Sequence, residues 1–143
     1  ASVTEIPPHA FRNYKQLKIV KLTNGTKIIG IHAFQGCVNL TDINFHESSV
    51  ETIDRFAFNG CKLLKVVKLP RSLKRINRHA FFGCTSLSMV NFHPSSLLEE
   101  IDYGAFGRCT SLIAVYFPKS LQCIGNMAFG WCHSLISAEL PPT

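Results

Sequence analysis

Cysteine and histidine are the residues of this chain best suited to chemistry, with six of each in 143 residues. Thiolates and imidazoles bind zinc and act as nucleophiles and bases. A zinc knuckle needs closely spaced C-x-x-C pairs, and the sequence contains none. The motifs G-x-G-x-x-G, G-x-x-x-x-G-K and H-E-x-x-H are also absent. The sequence therefore predicts no catalytic residue, no metal site and no cofactor, and we expect the protein not to be an enzyme.

Five of the six cysteines recur at one position of a repeated motif. Each lies three residues after the phenylalanine of an Ala-Phe pair, and these cysteines are Cys37, Cys61, Cys84, Cys109 and Cys132. This spacing favours a column of buried free thiols, because unpaired cysteine is among the most buried residue types. Disulfides between neighbouring turns are the alternative. Cys123 lies outside the column, at a position that is mostly polar in the other turns, and we expect it to be exposed.

The Ala-Phe pair itself occurs six times, at intervals of 23, 24, 23, 25 and 23 residues. A period of this length indicates one supersecondary unit copied along an axis. Large apolar residues recur at fixed positions in every copy, in the third copy at Ile53, Phe58, Leu64, Val67 and Leu69. We therefore predict a solenoid of about six turns that forms a single domain over residues 1–143.

Each repeat contains three predicted local structures. The pattern L-x-x-[VI]-x-[LF] ends in an apolar-polar-apolar alternation and predicts a strand with one buried face. The upstream pattern L-x-x-I predicts a second short extended segment on the opposite wall. The A-F-x-x-C segment is interpreted as a short helical or 3₁₀ turn. Five glycines inside that segment predict a tight corner, since glycine tolerates positive φ: Gly36, Gly60, Gly83, Gly107 and Gly130.

The combined motif L-P-x-S-L-x-x-I-x-x-x-A-F-x-x-C-x-x-L resembles the BspA-like, or Treponema pallidum-type, leucine-rich repeat. Residues 69–87 match it at every position. The resemblance implies an α/β repeat solenoid, a right-handed coil of 23–25-residue turns. Parallel strands would line its concave face, with short helical or irregular segments elsewhere. It also implies a cell-adhesion or protein-binding module that is secreted, periplasmic or on the cell surface, and whose partner is a protein or glycan such as host extracellular matrix.

Residues between the buried strand positions are the candidate binding surface. In a leucine-rich-repeat strand these side chains face the concave side, and several are apolar enough for a protein interface. The candidates are Ile19, Lys21, Asp42, Asn44, Val66, Lys68, Met89, Asn91, Ala114 and Tyr116.

Positive charge is concentrated in the third repeat, which has no acidic residue between positions 62 and 78. These cations run around one turn and would surround the solenoid, so a sulfated glycan or another polyanion is an alternative partner. The candidate residues are Lys62, Lys65, Arg71, Lys74, Arg75 and Arg78. In the alternative interpretation, these cations pair with acidic residues of the neighbouring turns and bind no ligand. A nucleic-acid motif and an aromatic platform are both lacking, which argues against nucleic acid as the ligand.

Two further patterns concern the whole array. Segments in the second and fourth repeats resemble each other at a distance of 47 residues, which indicates duplication of a two-turn block. The terminal repeats have no evident polar cap, so Phe129, Leu135 and Leu140 would lack a covering turn. A self-assembling scaffold, a homo-oligomer joined through its terminal repeats, is therefore a second functional hypothesis.

No apolar run is long enough to predict a transmembrane segment.

Overall fold

The computed structural model describes residues 3–143 as six stacked turns, each containing two short β-strands. We number the turns along the chain, so that each begins with a two-residue strand. The two-residue strands are β1 Glu5–Ile6, β3 Ile28–Ile29, β5 Thr52–Ile53, β7 Arg75–Ile76, β9 Glu100–Ile101 and β11 Cys123–Ile124. The three-residue strands are β2 Ile19–Lys21, β4 Asp42–Asn44, β6 Val66–Lys68, β8 Met89–Asn91, β10 Ala114–Tyr116 and β12 Ser137–Glu139.

Strands from successive turns pair in parallel and build two walls. The short-strand wall is one six-stranded sheet with the order β1-β3-β5-β7-β9-β11. The long-strand wall consists of a two-stranded sheet, β2-β4, and a four-stranded sheet, β6-β8-β10-β12. The prediction of a solenoid with two extended segments per turn is confirmed.

The A-F-x-x-C segments form a third wall, the turn wall, and here the prediction of helical structure is wrong. The described residues contain no helix, so the architecture in this part of the chain is a β-solenoid rather than α/β. The backbone explains the difference, because His32 (φ 57°) and Gly36 (φ 72°) are left-handed. A helix requires an unbroken run of right-handed residues, and left-handed residues four positions apart allow only isolated turns.

Backbone hydrogen bonds within and between turns hold the turn wall together. In turn 2, Cys37 N–H donates to the Phe34 carbonyl three residues earlier, at 3.2 Å. Phe34 N–H instead donates to Ala57 of turn 3, at 2.8 Å. The segment therefore stacks like a strand on its neighbours although each piece of it is a local turn.

The five glycines of these segments do not share one role. Gly36, Gly60 and Gly83 have positive φ, as predicted for a tight corner. Gly107 and Gly130 do not, because they lie one residue too early, and that prediction is wrong for them. The left-handed position of their turns is occupied by Arg108 (φ 56°) and Trp131 (φ 58°).

A column of stacked phenylalanines runs through the core. Neighbouring rings lie 5.2–5.3 Å apart, centroid to centroid, with interplanar angles of 0–11°. Because each ring covers the next, the phenylalanines of turns 2 to 5 are almost completely buried. The column consists of Phe11, Phe34, Phe58, Phe81, Phe106 and Phe129.

The column of cysteines lies beside it, and its five thiols are free and buried. Each thiol donates to the carbonyl of the phenylalanine one turn earlier, as from Cys84 Sγ to Phe58 at 3.2 Å. Burial raises the pKa of Cys61, Cys84 and Cys109, so these thiols remain protonated and inert. Cys123, as expected, is exposed. The preference for free thiols over disulfides is confirmed.

The terminal turns cover their apolar residues less completely than the central ones. In turn 6, Phe129 and Leu135 are half-buried and Leu140 is exposed. Among residues 3–143 we find no helix of the length and hydropathy needed to cross a membrane.

Candidate binding surface

Hydrogen bonds on the long-strand wall join the turns in pairs. Between turns 1 and 2, Leu22 N–H donates to the Asn44 carbonyl at 3.0 Å, and Thr41 N–H donates to the Lys18 carbonyl at 2.9 Å. Both bonds recur between turns 3 and 4 and between turns 5 and 6. Their donors there are Leu69, Ser88, Phe117 and Ile136.

The junction between turns 2 and 3 lacks this pairing. The equivalent donors, Phe45 N–H and Lys65 N–H, have no acceptor within residues 3–143, and β4 and β6 form no ladder. The junction between turns 4 and 5 is intermediate, since Ala114 pairs with Met89 but the N–H of Ile113 is unpaired in the described chain. The wall is therefore incompletely paired at every second junction, and between turns 2 and 3 it has no ladder at all.

Loop length distinguishes the turns that precede these open junctions. The loop that leaves turn 2 runs from Phe45 to Ile53, eight positions later, and the loop that leaves turn 4 runs from Phe92 to Ile101, nine positions later. The corresponding separation in turns 1, 3 and 5 is seven. The longer loops enlarge the even turns on this side, at the same junctions where the long-strand wall is incompletely paired. The irregular intervals of 24 and 25 residues between Ala-Phe pairs record the same insertions.

The open junction forms a cleft of about 1150 Å³. Apolar side chains at the cleft include Phe45, Val66 and Leu97. The hydroxyl oxygen of Ser48 is buried at this cleft without a hydrogen-bond partner among the described residues. The lining also includes Asp42, Asn44, His46, Glu47, Lys68, Arg71 and His93.

Charges of opposite sign line the two sides of the cleft. Asp42 and Glu47 belong to turn 2, whereas Lys68 and Arg71 belong to turn 3. Within residues 3–143, neither Lys68 nor Arg71 has a carboxylate within 4.0 Å. The cleft therefore offers an acidic side, a basic side and an apolar surface to one ligand.

The predicted surface residues lie on the long-strand wall, in β2, β4, β6, β8 and β10. Four of them, Asp42, Asn44, Val66 and Lys68, meet at the cleft. Others lie elsewhere along the wall, mostly as exposed side chains: Ile19, Lys21, Met89, Asn91, Ala114 and Tyr116. Whether this face is concave and whether it binds a partner stay predictions.

The residues of the predicted basic turn are spread over three walls. Lys65 directly precedes β6 on the long-strand wall, and Arg71 lies in the loop at the cleft. On the short-strand wall Lys74 Nζ lies 3.0 Å from Glu51 Oε2, and Arg75 Nε lies 3.9 Å from Glu100 Oε2. Lys74 lowers the pKa of Glu51 through this hydrogen bond. Lys62, which directly follows Cys61, is exposed, and Arg78 lies on the turn wall.

Several surface residues were not anticipated from sequence. The loop residues His46, Ser48 and Leu97 line the cleft but lie outside the strand pattern. Ile113 and Ile136, one residue before the strands, are 51% and 85% exposed. The 24-residue interval was the one signal that distinguished turn 2 from its neighbours.

The repeat geometry agrees with the comparisons to known proteins. A family model described as BspA type Leucine rich repeat region matches residues 1–97 in six copies. This chain belongs to the BspA-type leucine-rich repeat family. Leucine-rich repeats generally serve as protein-interaction modules. A search of curated proteins found no match.

Solved structures of bacterial leucine-rich repeat proteins are similar to this BspA-type chain. A T. pallidum leucine-rich repeat protein is 32% identical over 97% of the chain and 53% of its own length, with a TM-score of 0.65. The pneumococcal vaccine antigen PcpA is 27% identical over 96% of the chain and 35% of its own, with a TM-score of 0.83. A Faecalibacterium prausnitzii leucine-rich cell surface protein is 25% identical over 95% of the chain and 42% of its own length, with a TM-score of 0.64. The chain thus spans about half or less of these relatives.

Proposed function

We propose that this chain is a non-enzymatic binding module that engages an extended segment of a protein partner at the cleft between turns 2 and 3. The observation that carries the proposal is the missing ladder between β4 and β6. It leaves backbone N–H donors and a buried hydroxyl without partners beside a cavity. A ligand that displaces water from the cleft and accepts hydrogen bonds from these N–H groups gains affinity, because unpaired donors are costly once water is excluded.

An extended polypeptide fits this combination of groups. Its backbone supplies carbonyl acceptors for Phe45 N–H and Lys65 N–H, as in other modes of peptide recognition at open strand edges. An apolar side chain of the ligand would pack against Val66 and Leu97. A carboxylate would pair with Lys68 or Arg71, which have no ion partner in the described chain.

The cellular location of this chain is also part of the proposal. One structure similar to this chain is described as a cell surface protein. An exposed binding module that is secreted or on the cell surface is consistent with that description, and adhesion to a host protein is the corresponding biological role. The wall residues near the cleft would then be the adhesive surface.

A selection from a library of random linear peptides tests the proposal. Enriched peptides should bind the native protein. The substitution Val66→Asn or Lys68→Gln should lower their affinity about tenfold, which corresponds to about 1.4 kcal/mol of binding free energy. Ile19→Asn and Lys21→Gln are matched controls, because these residues occupy the equivalent positions of β2 away from the cleft. Enrichment of no peptide, or equal losses with the control variants, would contradict the proposal.

A further inference from the structure

A second surface feature lies on the turn wall of turns 4 to 6, where arginine and aromatic side chains stack on one another. The Arg78 guanidinium lies 4.9 Å from the centroid of the Tyr103 ring. Arg108 lies between two rings, 5.7 Å from Phe82 and 5.3 Å from Trp131. His79 connects the two stacks, with ring centroids 5.3 Å from Tyr103 and 4.8 Å from Phe82. We call these residues the arginine–aromatic strip: Arg78, His79, Phe82, Tyr103, Arg108 and Trp131.

The backbone of the strip differs from that of turns 2 to 4 and resembles turn 1, where Asn13 is left-handed (φ 62°). Turns 2 to 4 place glycine at the left-handed position before the cysteine, whereas turns 5 and 6 place Arg108 and Trp131 there. A left-handed residue with a Cβ costs about 1–2 kcal/mol relative to its right-handed form. A strained position of this kind is a reason to look for a functional role.

The positive charge of the strip is not neutralised by the protein. Across residues 3–143, neither Arg78 nor Arg108 has a carboxylate within 4.0 Å, in contrast to Lys74 and Arg75. The nearby carboxylate of Asp102 accepts a hydrogen bond from Tyr103 N–H at 2.6 Å. The arginines lie over ring faces, which accept no N–H hydrogen bond of ordinary strength, so their N–H donors remain available to a ligand.

Stacking also prepares the two arginines for binding. A free arginine loses rotamer entropy when it engages a ligand, and packing in advance reduces this cost. The planar guanidinium matches the oxygens of an anionic group with two parallel hydrogen bonds. Arg78 and Arg108 therefore present two fixed anion-binding forks, with apolar ring edges of Tyr103, Phe82 and Trp131 beside them.

We propose that the arginine–aromatic strip is a binding site for a sulfated polysaccharide. A sulfated sugar chain supplies both required features, anionic oxygens for the guanidinium edges and rigid C–H surfaces for the adjoining rings. Single-stranded nucleic acid fits less well, since its bases stack on free aromatic faces. Here Tyr103, Phe82 and Trp131 each have an arginine over a ring face. This site is separate from the cleft and does not depend on the proposed peptide binding.

Tryptophan fluorescence provides a direct test, because Trp131 is the only tryptophan in the chain. Titration with a heparin hexasaccharide at low salt should change its emission in a saturable manner. The affinity should fall steeply as ionic strength rises, because exposed charges are screened. An unsulfated heparosan hexasaccharide should produce no comparable change. An unchanged emission with heparin would overturn the proposal.

Matched variants separate the strip from general attraction to a basic protein. Arg108→Ala should weaken heparin binding about tenfold or more, the loss expected for a hydrogen bond to a charged group. Arg108→Lys should also weaken it, because lysine retains the charge without the fork. Lys62→Ala removes an exposed cation outside the strip and should have little effect, as should the cleft variant Val66→Asn.

Two outcomes of these titrations would contradict the proposal. Equal losses for Lys62→Ala and Arg108→Ala, read by anisotropy of a labelled hexasaccharide, would indicate diffuse charge attraction. Equally strong binding of oligo-dT with the same dependence on Arg108 would assign the strip to nucleic acid instead. Neither result bears on the peptide selection at the cleft, so the two proposals fail independently.

Discussion

Gly104 is the sole glycine among the residues that directly precede the alanine of each turn. The other five turns have His9, His32, Phe56, His79 and Met127 there, all with φ between 56° and 60°. Side chains at this position stack along the outside of the turn wall, with His32 4.9 Å from both His9 and Phe56, centroid to centroid. At turn 5 the absence of a side chain leaves room for His79, since a Cβ on Gly104 would lie 2.4 Å from His79 Cδ2.

Replacing Gly104 by alanine should therefore destabilise the protein. The left-handed backbone (φ 60°) adds about 1–2 kcal/mol of strain for a residue with a Cβ, and His79 must move away from Tyr103 and Phe82. We expect the free energy of unfolding, measured in urea, to fall by at least that amount. Met127→Ala is the control, because Met127 has the same backbone conformation (φ 56°) and already carries a Cβ. Equal effects of the two substitutions would contradict this explanation.

At the scale of the elements, the alternation of closed and open junctions is the main departure from an ideal repeat. It distinguishes amide groups that are equivalent in sequence. The N–H groups of Thr41, Ser88 and Ile136 donate across closed junctions at 2.9 Å. Those of Lys65 and Ile113, at open junctions, have no acceptor in the described chain.

Amide hydrogen exchange should reveal this alternation along one column of residues. Lys65 and Ile113 should exchange rapidly, because their N–H groups are not protected by a backbone bond. Ser88 lies between them in the column and should exchange more slowly than both, which makes it an internal control. Uniform protection of Lys65, Ser88 and Ile113 would show that the wall closes in solution.

The strands and core could be predicted from sequence, whereas the turn wall and the cleft could not. Burial repeats with the period, so the alternation around Val67 identified β6 and its buried face. The helical expectation failed because a turn and a helix share the same local apolar spacing, and the sign of φ at His32 is not encoded in residue type. The cleft depends on two missing backbone bonds, and only the extra loop residue of turn 2 hinted at them.

For the molecule as a whole, stability should depend on how many turns cover a given position. In a solenoid each repeat contacts only its neighbours, so unfolding free energy is a sum of local and interface contributions. Phe58 is completely buried between Phe34 and Phe81, whereas Phe11 has a stacked neighbour on one side only among residues 3–143.

Phe58→Ala should accordingly destabilise far more than Phe11→Ala. Removal of a fully buried phenylalanine costs about 3–5 kcal/mol, and two ring stacks are lost with it, each worth about 0.5–1.5 kcal/mol. Phe11 is half-buried and loses one ring stack with another phenylalanine. Urea denaturation followed by circular dichroism compares the two variants. Similar losses for both would show that the array does not behave as a chain of nearest neighbours.

The unpaired junction between turns 2 and 3 also has a mechanical consequence. There the short-strand wall and the turn wall remain bonded, as from Asp54 N–H to Ile29 and from Phe34 N–H to Ala57, while the long-strand wall is not. Bending that opens the cleft breaks no backbone bond between β4 and β6, whereas bending at the neighbouring junctions does. We therefore expect the array to flex as a hinge between rigid two-turn segments, with its axis along the bonded walls, so that the width of the cleft and the curvature of the whole array vary together.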